Sequence, residues 1–97
     1  MYPIAFLPPS ERYFKKIKEA GLKDAFYEAI KEIRQDPFKG TPKKGDLSGI
    51  YGYDVNYRGV QYEVAYRIAE KDDDIVVIIV MAGTRENFYE QLKKYLY

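Results

Sequence analysis

From Ile75 to Ala82 the chain reads Ile-Val-Val-Ile-Ile-Val-Met-Ala, an unbroken apolar run rich in β-branched residues. It is too short for a typical helix and suits a central strand buried on both faces. Asp72, Asp73 and Asp74 precede it as an acidic turn, and Gly83-Thr84 follow as an exit and a helix N-cap. Two strands with a different pattern lie upstream. Between Ile50 and Tyr57, Tyr51, Tyr53, Val55 and Tyr57 alternate with Gly52, Asp54 and Asn56. After a turn at Arg58-Gly59, Val60, Tyr62, Val64, Tyr66 and Ile68 alternate with Gln61, Glu63, Ala65 and Arg67. Such alternation predicts sheets with one packed and one polar face. By it Glu63 and Arg67 share a face, with Asp54 across from them.

The first third has helical spacing instead. Leu22, Ala25, Phe26, Ala29, Ile30 and Ile33 recur at i, i+3, i+4 and i+7, predicting a helix from Leu22 to Gln35 that Asp36-Pro37 ends. Ser10 suits the N-cap of an earlier helix from Glu11 to Ala20, with Tyr13, Phe14 and Ile17 as its buried stripe and Gly21 at its left-handed end. Tyr2 to Leu7 reads as a short first strand stopped by Pro8-Pro9. Phe38 to Gly45 is a basic loop carrying Lys39, Lys43 and Lys44. The last helix has Phe88, Leu92, Tyr95 and Leu96 as its buried stripe, with Arg85 and Tyr89 one turn apart at the edge. The predicted order is β-α-α-β-β-β-α. It describes one α+β domain over residues 1–97, a mostly antiparallel sheet with a helix hairpin on one face.

Composition narrows the chemistry. Among 97 residues there is no cysteine and no histidine, which removes disulfides, thiolate metal sites and the commonest general base. Catalysis must draw on Arg, Lys, Asp, Glu, Tyr, Ser or Thr, and no metal or cofactor is expected. A net charge of +1 leaves only a local basic patch for nucleic acid. No signal peptide or membrane span is expected, which points to a cytoplasmic protein without a membrane partner. Arg85, near a helix start, would offer an anion both a guanidinium and free backbone N–H groups. The structural alternative is that Arg85 pairs with Glu63 or Asp54 and locks the helix to the sheet.

Three blocks in order, Gly45-Asp46-Leu47-Ser48-Gly49-Ile50-Tyr51, Tyr62-Glu63-Val64-Ala65-Tyr66-Arg67 and Gly83-Thr84-Arg85-Glu86-Asn87-Phe88-Tyr89, together resemble toxins of the RelE/ParE superfamily. The resemblance implies a helix hairpin on an antiparallel sheet and a cognate antitoxin in a type II toxin–antitoxin system. It also implies one of two activities: ribosome-dependent cleavage of mRNA, which inhibits translation, or inhibition of DNA gyrase without nuclease chemistry. Arg85 and Tyr89 match the family's last block, where the arginine stabilises the phosphate and the tyrosine assists in-line attack or stacks on a base. Elsewhere the chain departs from the RelE pattern. Gly52 and Asp54 fall near two strand lysines, Glu63 replaces an arginine, and Thr84 replaces a frequent histidine.

A metal-free ribonuclease needs a base for the 2′-OH, cations for the phosphorane and an acid for the leaving 5′-oxygen. The candidates are Glu63 or Asp54 as base, Arg85 on the phosphate with Lys43, Lys44 or Arg67 assisting, and Tyr89 as acid or stacking platform. The ladder of Tyr51, Tyr53, Tyr57, Tyr62 and Tyr66 fits base stacking or cross-strand packing equally. The competing reading is a non-enzymatic interaction module, a gyrase inhibitor or a toxin relative whose activity has decayed.

Overall fold

The computed structural model describes all of residues 1–97. It contains β1 (Ile4–Phe6), α1 (Pro8–Lys16), α2 (Ala20–Gln35), β2 (Thr41–Pro42), β3 (Tyr51–Tyr57), β4 (Val60–Lys71), β5 (Asp74–Thr84) and α3 (Phe88–Leu96). Short 3-10 turns occupy Pro37–Lys39 and Gly45–Leu47. The five strands form one mixed sheet in the order β1-β5-β4-β3-β2. Only the β1–β5 pair is parallel. The predicted α+β class and the order of the main elements are those observed; the additional strand is β2, two residues long on the β3 edge. No helix is long and apolar enough to cross a membrane.

The two alternating segments become a hairpin closed at Arg58-Gly59, both with positive φ (49° and 78°), the backbone that two-residue hairpin turns require. The next hairpin closes at Asp72 and Asp73, whose φ values of 53° and 69° are tolerated best by Asp, Asn and Gly. The apolar run is an interior strand, but β4 holds the centre of the sheet. Val64, Ala65 and Tyr66 in β4 are each fully buried, so both of its faces are covered. The register shifts opposite Ala65/Tyr66, where Val80 is the extra residue on β5. Both Val80 and Met81 then face the same side of the sheet, as a bulge allows.

The core has two halves. On one face Ile17, Phe26, Ala29 and Ile33 pack on Val55, Val64, Tyr66, Val77, Ile79 and Ala82. On the other, Phe88 and Leu92 of α3 join Leu47 and Ile50 over Ala65 and Val80. The sheet is therefore covered on both faces, by the helix pair and by α3 with the loop before β3. Tyr66 fixes a corner of this arrangement. Its hydroxyl donates to Pro37 O (2.7 Å) and accepts from Gly40 N (2.9 Å).

Four local expectations are corrected. Helix α1 starts at Pro8, because Pro at the first two helical positions loses no internal hydrogen bond and has φ preset. Ser10 is thus inside the helix and fully buried, its hydroxyl 2.8 Å from Leu7 O and 3.0 Å from Ile79 O. Gly21 lies in the first turn of α2, where a Cβ would overlap the Tyr57 ring and hydroxyl; its role is close approach, with no left-handed turn. At the other end, Thr84 remains in β5 and Arg85 N still donates to Gln61 O (2.9 Å), so the ladder runs past Gly83. Helix α3 begins only at Phe88, after Asn87 in the left-handed conformation (φ 58°). Its buried stripe is Phe88 and Leu92, with Leu96 half-buried against the same core. Tyr95 stays 43% exposed in the last turn.

Candidate active site

Two strands and α3 bring the chemistry together. Asp54 of β3 pairs directly with Glu63 of β4, and Glu63 pairs with Gly83 of β5. The late start of α3 places Tyr89 in its first turn, above this row. Tyr89 Oη donates to Glu63 Oε2 at 3.0 Å, while Arg85 Nε lies 3.8 Å from Glu63 Oε1. Lys43, from the loop before β3, holds its ammonium 4.7 Å from the Tyr89 ring centroid, a cation–π distance. One carboxylate is therefore approached on separate oxygens by a phenol and a guanidinium.

Glu63 is the pivot, and its surroundings differ from the solvated sheet face that alternation suggests. Because α3 folds back over that face, the Glu63 side chain is only 3% exposed, whereas that of Arg85 is 60% exposed. Burial pushes the Glu63 pKa up to about 7. Asp54 opposite raises it further, while the Tyr89 hydrogen bond and the Lys43 charge work against the rise. Burial, and then the charge and hydrogen bond of Glu63, raise the pKa of Tyr89. Near neutral pH Tyr89 is therefore a hydrogen-bond donor and Glu63 is divided between its two protonation states. A carboxyl titrating there is suited to general base work.

Arg85, Tyr89, Glu63 and Lys43 of the predicted site residues meet at this place. Lys44 and Arg67 do not. Lys44 is exposed before the Gly45–Leu47 turn, and Arg67 lies four residues along β4 from Glu63, exposed and opposite Ile78. At roughly 3.3 Å per residue that spacing is about 13 Å, and no hydrogen bond or ion pair joins either side chain to the cluster. Arg85 precedes α3, outside its first turn, and its backbone N–H is already bonded to the sheet, so the expected pairing of guanidinium and free helix N–H groups does not form. Lys39 is engaged with Glu32 at 2.9 Å.

The tyrosine ladder serves packing. Tyr51 stacks on buried Tyr66 (5.4 Å between centroids, 19° between planes), and Tyr53 donates to Glu32 Oε2 at 2.7 Å. These rings lie on the face of the helix pair, away from Glu63. One contributor escaped the sequence reading: Gly52, over which Lys43 and Tyr89 meet. A glycine inside a strand is itself a signal of close approach.

Residues 4–93 match the family described as ParE-like toxin of type II bacterial toxin–antitoxin systems. No curated protein matches the sequence. Among solved structures, the chain is similar to the toxin–antitoxin complex RelBE2 of Mycobacterium tuberculosis, at 24% identity over 87% of this chain and 98% of that one, TM-score 0.65. It is similar to the intact RelBE complex of E. coli, at 17% identity over 86% and 95%, TM-score 0.68. A mutant of E. coli RelE in the free state gives 16% identity over 95% and 92%, TM-score 0.71. At such identities these three share the fold. The family match spans nearly the whole chain, and the order of its elements is that of these toxins: the protein belongs to the ParE-like toxins of type II bacterial toxin–antitoxin systems.

Proposed function

We propose that this toxin is a metal-independent endoribonuclease that cleaves mRNA on the ribosome, inhibits translation in the cytoplasm and is neutralised by a cognate antitoxin. The observation that carries the reading is the convergence of Tyr89 Oη and Arg85 Nε on the two oxygens of one buried carboxyl. In this reaction the Glu63 carboxylate takes the proton of a ribose 2′-OH as that oxygen attacks the adjacent phosphorus. Arg85 and Lys43 balance the charge on the phosphorane. The 5′-oxygen leaves with a proton from the nearest O–H donor, Tyr89, giving a 2′,3′-cyclic phosphate and a 5′-hydroxyl. Exposed Arg85 meets the phosphate first, and Lys43, held at the Tyr89 ring, stands beside it as the second cation. The ribosome as the place of action rests on the resemblance to RelE-type toxins.

A second reading draws on a specific observation. Glu63 is shielded, and a buried carboxyl tied to Tyr89 also suits a structural clasp in a toxin that acts by binding, with DNA gyrase as the target. Mapping mRNA 5′ ends in a translation extract separates the two. The nuclease produces cuts that require translating ribosomes. The binding module leaves mRNA intact and inhibits supercoiling.

A further inference from the structure

Gly52 lies inside β3, between Thr41 of β2 and Ala65 of β4, and is buried. A Cβ added there falls 2.7 Å from Tyr89 Oη, 2.7 Å from Lys43 Cε and 3.1 Å from Lys43 Nζ. The phenol and the ammonium thus occupy the space that a side chain on this strand would fill. Both come from outside the strand, Tyr89 from the first turn of α3 and Lys43 from the loop that runs into it. A strand interior gains nothing from glycine, which packs no side chain and loosens the backbone. Nor does the turn chemistry that explains Gly59 operate here, since only Gly45, Gly49 and Gly59 among the glycines have positive φ.

We infer that Gly52 is a positioning residue of this site: its missing side chain is the seat over which Lys43 and Tyr89 meet beside Glu63, making loop-borne Lys43 the second cation. The inference rests on the reading of this cluster as the place where RNA reacts, but its geometry can be tested apart from catalysis. Tyr89's hydrogen bond and Lys43's charge both lower the pKa of Glu63, so whatever unseats them raises it.

The test uses the full chain, made by chemical synthesis, as wild type, Gly52→Ala, Lys43→Met and the double variant, each confirmed folded by thermal melting. The Glu63 carboxyl is titrated by 13C NMR, and mRNA cleavage is followed by primer extension in a translation extract. In Gly52→Ala the Glu63 midpoint should move above about 7. Cleavage should fall about a hundredfold, the scale of a displacement near 1 Å at a reacting centre. Lys43→Met should also raise the midpoint, and should add less to Gly52→Ala than it does to wild type, because both changes act through one ammonium. A folded Gly52→Ala protein with unchanged titration and cleavage overturns the inference, as does full additivity in the double variant. If Gly52→Ala does not fold, Lys43→Met decides alone: a raised midpoint supports the seat and a wild-type midpoint overturns it. Wild-type protein that leaves mRNA intact while the midpoints shift as expected removes the nuclease reading and leaves the seat standing.

Discussion

At the scale of single residues, Glu63 carries the most consequence. Its neutral form is favoured in the folded protein, with a pKa near 7 against 4.5 for the free side chain. Between those values the native state binds more protons than the unfolded one, so stability falls as pH rises from about 4.5 to about 7 and then levels. The full difference is about 3 kcal/mol. Urea unfolding at a series of pH values should show this decline in wild type and lose most of it in Glu63→Gln, which should also abolish cleavage; a parallel pH profile in the variant would contradict the assignment. The alternation in β4 made the identity and facing of Glu63 legible, and its partner Asp54 followed from hairpin register. Its burial was not legible, because that depends on α3 folding back from more than twenty residues away in sequence. Lys43 stood out only as one of three loop lysines, and nothing local distinguishes it from Lys44.

At the scale of elements, long periodic segments were readable and their ends were not. The α2 spacing and the two alternating strands match the structure to within a few residues, since each pattern reports burial against a whole neighbouring element. Prolines 8 and 9 opened a helix where a stop was expected, and the ladder held Thr84 and Arg85 where a cap was expected. Two predictions belong here. Ser10→Ala removes a buried hydroxyl that ties α1 to Ile79 of β5, and should cost about 1 kcal/mol in urea unfolding without touching the site. Leu92→Ala opens a cavity under α3, where Leu92 is fully buried. It should cost about 2–5 kcal/mol, and should loosen Tyr89 one turn away, so cleavage should drop even at temperatures where the variant remains folded. A Leu92→Ala protein as stable and as active as wild type would mean that α3 does not hold the site.

At the scale of the whole molecule, the sheet is a platform with one face given to the helix pair and the other to α3 and the site. The three sequence blocks span this arrangement, which is why the family was legible although each block alone is short. Sixteen basic residues against fifteen acidic ones give a net charge of +1, little overall attraction for a polyanion. Binding to free RNA should therefore rest on few phosphate contacts. With Arg85 and Lys43 as the two cations, the dependence of log K on log salt should have a slope of about −1.4 for single strands, measurable by anisotropy with a short oligonucleotide. A much steeper slope would require a basic surface outside the site. Under the proposed function, such weak binding to free RNA is what would make presentation of the substrate by the ribosome necessary. The most direct test of that claim is primer extension on a defined mRNA in a bacterial translation extract, with wild-type protein and Arg85→Ala. The side chain of Arg85 is 60% exposed, so the variant should fold normally. A ribosome-dependent nuclease should give cuts that require translating ribosomes and disappear with Arg85→Ala. Intact mRNA with folded wild-type protein, or the same cuts from the variant, would contradict it.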